Sequence, residues 1–248
     1  MRLNNIFIKE NERIDDLHRN GYLIIQDPEK FCFGVDAVLL SGFAKVKKGE
    51  KVIDLGTGTG VIPILLEGRY GGDDYFGIDI QAESVEMAKR SVELNSLGDK
   101  IEIMECDIKN VFQYFKPSDF DVVVSNPPYM TAGGAIINKF DSKAIARHEI
   151  LCNLEDVISA SSKLLKFGGR FYMIHRPYRL VDIFVLFRKY NIEPKVVRFV
   201  HSYFDREPTM VLIEGSRGGK AMLKVLPPLV IYDESGNYTD EIFNIYYD

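Results

Sequence analysis

The chain has 248 residues, 46% of them hydrophobic and 27% charged, with a formal net charge of −5 at pH 7. This composition is typical of a folded protein and excludes a disordered or fibrous one. Its three cysteines form no CxxC pair, so we predict no disulfide framework and no metal site. Without a signal sequence or a long uncharged apolar stretch, we expect a cytoplasmic protein that does not span a membrane. The negative net charge argues, at first, against a nucleic-acid partner.

The N-terminal residues predict two small elements. Residues 22–25 and 31–33 are apolar runs on either side of the turn sequence Asp-Pro-Glu-Lys, and we predict that they pair as a hairpin. Residues 36–44 predict a helix. We interpret residues 1–44 as an N-terminal extension that packs on the main domain.

From residue 52 onward, short β-branched runs alternate with amphipathic stretches, which is the pattern of βαβ units in a mostly parallel sheet. The segments 196–200 and 210–213 are joined by too few residues for a crossover helix, so we predict an antiparallel hairpin at one sheet edge. We therefore predict a main domain over 45–215 and a C-terminal tail over 216–248 that could fold back as an edge element. The other predicted strands are 52–55, 75–78, 101–104, 122–125 and 170–174, and the clearest helices are 82–95, 154–165 and 180–190.

A glycine-rich turn follows the first strand of the main domain. Gly56, Gly58 and Gly60 allow a tight turn and let a ligand approach the backbone at the start of a helix. The spacing is GxGxG rather than the GxGxxG of dinucleotide sites, and Asp54 lies within the strand itself. A carboxylate at that position repels a pyrophosphate and attracts a cofactor that carries an ammonium group.

Two more carboxylates follow the next two strands. Asp79 ends the second strand, where it can accept both hydroxyls of a ribose, and Asp107 follows the third, where it can accept the amino group of an adenine. Ile80 and Ile108, directly after these acids, are part of the predicted cofactor site. The alternative is that the acids only cap helices and the glycines only form a turn. We favour a ligand site because all three acids lie at strand ends.

The fourth strand ends in Asn126-Pro127-Pro128-Tyr129. The prolines stiffen the turn, so that the side-chain oxygen of Asn126 and the carbonyl of Pro127 can accept both hydrogens of one planar NH₂ group. The ring of Tyr129 can stack on the base or amide that bears this group. Holding both hydrogens directs the nitrogen lone pair at an electrophilic methyl group without a general base. The alternative, a rigid turn without a catalytic role, is less favoured because a cofactor would lie at the same sheet edge.

Four motifs, in their order along the chain, resemble those of class I S-adenosylmethionine-dependent methyltransferases that modify exocyclic or amide nitrogens. They are DLGTGTG, the strand-ending Asp79, Cys106-Asp107 and NPPY. The resemblance covers about residues 31–215. It implies an α/β fold with a Rossmann-like, seven-stranded sheet that is mostly parallel and has an antiparallel C-terminal hairpin. It also implies S-adenosyl-L-methionine as the cofactor and S-adenosyl-L-homocysteine as the product.

Three less specific motifs narrow the resemblance to one family. FCFGVDAVLLSGFA, Arg147-His148-Glu149 and EPTMVLIEGSRGGK are similar to segments of the bacterial tRNA1(Val) (adenine37-N6)-methyltransferase family. This similarity implies tRNA as the partner and N6 of an adenine beside the anticodon as the acceptor. It also suggests that Asp36 shapes the cofactor pocket, although an N-cap of the predicted helix is an equal alternative.

Two other functions stay open. A protein N5-glutamine methyltransferase acting on a release factor shares NPPY, but that family carries a helical N-terminal domain that the residues before the resemblance are too few to form. An RNA-binding module could keep the cofactor site without turnover, although the intact NPPY argues against it.

The charge divides unevenly along the chain. Residues 166–224 contain 12 basic and 5 acidic side chains, whereas residues 225–248 contain 5 acidic and no basic ones. The basic segment predicts phosphate contacts with RNA, so the net negative charge no longer excludes this partner. Pro128, Arg147, His148 and Arg176 are the predicted substrate residues, and 147–149 could equally be the start of a helix on a solvated face. His175, an expected edge or surface residue, is assigned no catalytic role.

Overall fold

The computed structural model of the chain describes residues 8–30, 32–129 and 153–247. Arg147 and His148 therefore lie outside the described residues. Within the described residues, the strands are β1 Arg13–Asp16, β2 Leu23–Gln26, β3 Val52–Leu55, β4 Tyr75–Asp79, β5 Ile101–Glu105, β6 Phe120–Ser125, β7 Leu165–His175, β8 Ile192–His201, β9 Pro208–Arg217, β10 Lys224–Val225 and β11 Leu229–Val230. The α-helices are α1 Val35–Phe43, α2 Val61–Tyr70, α3 Ala82–Leu94, α4 Leu154–Leu164, α5 Leu180–Lys189 and α6 Asp240–Tyr247.

One large sheet organises the protein, with the strand order β10-β8-β9-β7-β6-β3-β4-β5 and β11 paired to β8. Strands β3 to β7 are mutually parallel, and β9 pairs antiparallel with both β7 and β8. The predicted mostly parallel α/β sheet with a C-terminal antiparallel hairpin is confirmed.

In the part of the chain that the structure describes, the sheet already has nine strands, so the expected count of seven is wrong. The two extra strands, β10 and β11, have two residues each and come from the tail, where they pair parallel with β8. The backbone groups on the outer side of β8 would otherwise lack sheet partners, and the tail supplies them. The tail therefore does fold back as an edge element.

The predicted partner of β2 is wrong. This strand pairs antiparallel with β1, and residues 32 and 33 are in no strand. The turn that joins β1 and β2 contains Asn20-Gly21, and both residues have positive φ, 52° and 70°. An Asn-Gly pair tolerates this conformation at little cost and is a stronger hairpin signal than the Asp-Pro-Glu-Lys sequence used for the prediction.

Helices bury both faces of the sheet. Along β6, Val122 and Val124 pack in the core with α1, α2 and α3, whereas Val123 packs in the core with α4 and α5. Successive side chains of a strand point to opposite faces, so one apolar run serves both cores. This packing fixes the carboxyl ends of β3 to β7 along a single edge of the sheet.

The C-terminal helix packs against α1. In α1, Gly42 lies so close to α6 that a Cβ there would be 2.9 Å from the side chain of Ile245. Ile242 of α6 is fully buried in the same core as α1. The C-terminal helix therefore supports α1, whose first turn contains Asp36. None of the helices in the described ranges is both long and apolar enough to cross a membrane.

Candidate active site

The glycine-rich turn between β3 and α2 has the left-handed backbone that its sequence predicts. Gly56, Gly58 and Gly60 have φ of 78°, 54° and 81°, a region that side chains disfavour. A Cβ at Gly56 or Gly58 would meet no atom within 4 Å, so the space above the turn is open. The glycines are needed for the backbone conformation, and the turn leaves room for a ligand.

Asp54 is a buried carboxylate without a partner. It is 1% exposed, and neither of its oxygens has a hydrogen-bond partner in the described part of the chain. The hydroxyls of Thr57 and Thr59, in the same turn, are also buried and unpartnered there. Burial raises the pKa of Asp54 to about 7; the nearby Thr57 hydroxyl partly opposes this effect, and the carboxylate of Asp79 adds to it. A bound ammonium group would supply the hydrogen bonds and the positive charge that this carboxylate lacks.

Asp79 and Asp107 both accept backbone hydrogen bonds at their strand ends. Asp79 accepts from Gly58 N at 2.8 Å and from Gln81 N at 2.9 Å, and so connects the glycine turn to the start of α3. Asp107 accepts from Lys109 N at 2.9 Å and caps the short 3₁₀ helix Ile108–Gln113. Each acid therefore does have the capping role that is the alternative to a ligand site. Carboxylate oxygens have two lone pairs each, so capacity for a ribose and an adenine remains.

The NPPY segment directly follows β6. Ser125, the last residue of this strand, donates to the Leu55 carbonyl at 2.8 Å and holds the ends of β6 and β3 together. Pro127 is buried, whereas Asn126, Pro128 and Tyr129 are partly exposed. The predicted amine-binding residues therefore lie at the same sheet edge as Asp54.

Asp36 of α1 contacts this segment across 93 residues of sequence. The hydroxyl of Tyr129 lies 2.7 Å from Asp36 Oδ2 and 2.8 Å from Asn126 Oδ1. Burial and the Asp36 carboxylate raise the pKa of Tyr129 well above its usual value, so the hydroxyl keeps its proton. The N-cap of α1 is Gly34 and Asp36 is the second helical residue, so the N-cap alternative for Asp36 is wrong.

One hydroxyl proton cannot serve two acceptors. A hydrogen bond to a carboxylate is stronger than one to an amide oxygen, so Tyr129 donates to Asp36. Asn126 can then bond to the same hydroxyl only through its NH₂ group, which requires the flipped orientation of its amide. In that orientation, the side-chain oxygen of Asn126 is turned away from Tyr129 and is free to accept from another group.

Residues at the end of β7 surround the Tyr129 ring. The guanidinium carbon of Arg176 lies 4.7 Å from the ring centroid, and Arg176 Nη1 donates to Thr209 O at 2.9 Å. His175 contacts the ring edge, with centroids 5.4 Å apart. Tyr178 donates from its hydroxyl to Tyr129 O at 2.9 Å. One face of the Tyr129 ring is therefore covered by Arg176, a predicted substrate residue.

The expected surface position of His175 is wrong, because this residue is only 2% exposed. Burial lowers the pKa of His175 to about 4, and the charges of Arg179 and Arg176 act in the same direction. His175 Nδ1 accepts from Arg176 N at 2.8 Å, so the neutral ring carries its proton on Nε2. A position at a strand end is the sequence signal that indicates His175 as a residue of the site. The same signal indicates Asp79 and Asp107.

The basic segment does not form one unpaired basic surface. Arg198 makes a bidentate pair with Glu241 of the tail, both contacts at 2.7 Å, and Arg170 pairs with Glu50. Lys189 pairs with Glu155. Acids from other parts of the sequence thus neutralise much of the segment's charge once the chain is folded. Among the described residues, no group of side chains is arranged to hold a metal ion.

Comparisons with known proteins define the class. A family model described as a methyltransferase domain matches residues 46–184, so the chain belongs to this family. A predicted O-methyltransferase from Agrobacterium tumefaciens has a TM-score of 0.70 at 22% identity, covering 85% of this chain and 95% of that one. The T. thermophilus 16S rRNA N2 G1207 methyltransferase in complex with AdoMet and guanosine has a TM-score of 0.60 at 18% identity, covering 84% and 51%. The fold is that of the class I methyltransferases.

Curated relatives are more specific. The tRNA1(Val) (adenine(37)-N6)-methyltransferase of Phocaeicola vulgatus is 29% identical over 180 residues, which are 73% of this chain and 74% of that protein. The protein of the same name from Aeromonas salmonicida is 25% identical over 213 residues, 86% of this chain and 87% of that protein.

Proposed function

We propose that this protein transfers a methyl group from S-adenosyl-L-methionine to the exocyclic N6 amine of an adenine in tRNA, with adenine 37 of tRNA1(Val) as the first candidate. The observation that carries the proposal is the group formed by Asp36, Tyr129 and Asn126 beside the unpartnered Asp54. The curated relatives that share most of the chain carry this activity in their names, which supports the choice of substrate. A tRNA substrate agrees with the expected cytoplasmic location.

The residues present fit the cofactor. Asp54 would accept from its ammonium group, which removes the cost of a buried carboxylate without donors. The left-handed turn at Gly56, Gly58 and Gly60 would let the cofactor approach the backbone. Cofactor contacts from Asp79, Ile80, Asp107 and Ile108 are part of the same proposal. When bound, S-adenosylmethionine supplies a methyl group on a positively charged sulfur.

The protein's own contribution is to hold the acceptor amine. Asp36 accepts a hydrogen bond from the Tyr129 hydroxyl, which keeps its proton and in turn accepts from the Asn126 amide. The Asn126 oxygen would then accept one N6 hydrogen and the Pro127 carbonyl the other. This arrangement points the nitrogen lone pair at the methyl group, and the extra proton leaves after transfer. An adenine reaches this position only after it leaves its stack.

Arg176 changes one detail of the predicted stacking. Its guanidinium covers one face of the Tyr129 ring, so the adenine would stack on the other face. The positive charge behind the ring would strengthen the contact with the base by a cation–π interaction, typically about 0.5–2 kcal/mol.

In vitro methyl transfer tests this function. Purified protein and labelled cofactor are mixed separately with total tRNA and with a release factor, and the labelled product is identified. We expect label in tRNA only, and we expect Asn126→Ala to lose about 100-fold or more of kcat with little change in cofactor affinity. Label in the release factor alone would favour the glutamine alternative, and cofactor binding without turnover on either substrate would favour an RNA-binding module.

A further inference from the structure

The turn between β8 and β9 lies at the same sheet edge as the candidate active site. Because β9 runs antiparallel to β7, its first residues lie next to the end of β7, and the register pairs His175 with Val211. Arg176, which covers Tyr129, donates to Thr209 O at 2.9 Å. The turn over residues 202–207 therefore directly precedes the strand whose Thr209 binds Arg176, the residue that covers the Tyr129 ring.

Among the described residues at this edge, two large aromatic side chains are more than half exposed. Phe204, in the turn, is 79% exposed, and Tyr178, directly after β7, is 67% exposed. We call this pair the aromatic rim. Exposed aromatic rings of this size forgo the burial that would stabilise the fold, and their position beside the candidate active site points to a binding surface.

Hydrogen bonds hold both aromatic residues of the rim in place. The hydroxyl of Tyr178 donates to Tyr129 O at 2.9 Å, which fixes its position relative to the NPPY segment. The turn that carries Phe204 is closed by a hydrogen bond from Arg206 N to Tyr203 O at 3.1 Å. Tyr203 packs on Tyr232 of the tail, with ring centroids 5.5 Å apart. A rigid aromatic surface loses little conformational entropy when a flat ligand stacks on it.

The chemistry of the rim fits unpaired nucleotides of an RNA. The guanidinium of Arg176 lies over the Tyr129 ring. The Arg206 side chain is 74% exposed and makes only a long, exposed ion pair with Asp205, at 3.9 Å. Aromatic rings interleaved with arginines are the combination with which proteins hold single-stranded RNA. Asp205 and Glu207 flank the tip, so stacking rather than charge must supply most of the contact at Phe204.

We propose that Tyr178 and Phe204 are stacking surfaces for the unpaired nucleotides that flank the target adenine. When the adenine leaves the stack, its neighbours lose a stacking partner, and the aromatic rim replaces it. This proposal rests on the proposed tRNA methyltransferase function and adds to it the surface that holds the substrate strand.

The test compares Phe204→Ala and Tyr178→Ala with Phe167→Ala. Phe167 is a matched control because it is 78% exposed but lies near the start of β7, at the opposite sheet edge. The measurements are KM for an anticodon stem-loop RNA, kcat, and the Kd of S-adenosylhomocysteine. We expect each rim variant to raise KM by about five- to 100-fold, with the loss at Phe204 largely independent of salt, and Phe167→Ala to change nothing.

Tyr178→Phe separates stacking from positioning, since it keeps the ring and removes the bond to Tyr129 O. We expect this variant to retain a KM close to that of the unaltered protein. Rim variants with unaltered KM, or a control variant with an equal loss, would overturn the proposal. An unaltered protein that methylates a protein and no RNA would overturn the proposed function, and this outcome is visible before any variant is made.

Discussion

Replacing Asp36 with alanine removes the carboxylate that accepts a hydrogen bond from the Tyr129 hydroxyl, with 2.7 Å between the two oxygens. A hydrogen bond to a charged group is worth about 1.5–3 kcal/mol, and its loss frees the Tyr129 hydroxyl to donate to Asn126 instead. The Asn126 oxygen is then occupied by Tyr129 rather than by the acceptor amine. If the whole effect is expressed in the transition state, kcat falls by about 10- to 100-fold. Asp36→Asn keeps a neutral hydrogen-bond acceptor, so its loss of kcat should be smaller than that of Asp36→Ala.

The assay is steady-state methyl transfer to tRNA, with cofactor affinity measured separately by calorimetry. A positioning role predicts a loss in kcat with little change in cofactor Kd. It also predicts that Asp36→Ala adds little to the loss already caused by Tyr129→Phe, because both changes remove the same contact. Full kcat in Asp36→Ala would refute this reasoning, and so would a loss confined to cofactor affinity, since that result would place Asp36 in the cofactor pocket alone.

Three further predictions concern Asp54, the glycine turn and the tail. Asp54→Asn should stabilise the cofactor-free protein and weaken cofactor binding. The folded-state pKa of Asp54, about 7, lies above its unfolded value, so the folded protein loses stability as pH rises from about 4 to about 7. In thermal unfolding, the free energy of unfolding of Asp54→Asn should exceed that of the unaltered protein by an amount that grows over that pH range to at most about 4 kcal/mol. A difference that does not change with pH would contradict the buried carboxylate. Gly58→Ala should cost about 1–2 kcal/mol in denaturant unfolding because φ is 54° there, and an unchanged midpoint would mean that the turn is not left-handed. Arg198→Ala should cost at most about 1 kcal/mol, since Glu241 is half exposed, but should increase proteolysis of the tail; protection equal to that of the unaltered protein would refute the anchoring role of this pair.

Local patterns were sufficient for most of the sheet. The apolar runs that form β3 to β7 are each bounded by turn residues, and a parallel strand buried on both faces has an unambiguous composition. The wrong hairpin partner of β2 has a physical reason: turn sequences stand on both sides of this strand, and the Asn20-Gly21 turn is the one that closes the hairpin. The strand count was wrong because β10 and β11 have two residues each, too few to produce a periodic pattern.

The candidate site likewise contains residues that local sequence patterns predict and contacts that they do not. Asp54, Asp79, Asp107 and Asn126 follow from one rule, that side chains at the carboxyl ends of parallel strands share an edge. The bond between Asp36 and Tyr129 spans 93 residues, and no local pattern predicts a contact that depends on how α1 packs. The basic segment shows the same limitation, since the pairing of Arg198 with Glu241 exists only after the tail has folded back on β8.

The proposed activity is methyl transfer to N6 of an adenine in tRNA by an amine-binding group built on Asn126. The most direct measurement is mass spectrometry of nucleosides from tRNA1(Val), isolated from cells that lack this protein and from the same cells complemented with the unaltered protein or with Asn126→Ala. We expect N6-methyladenosine at position 37 to be absent from the cells that lack the protein, to return with the unaltered protein, and not to return with Asn126→Ala. A tRNA modification profile that is the same in all three samples would contradict it.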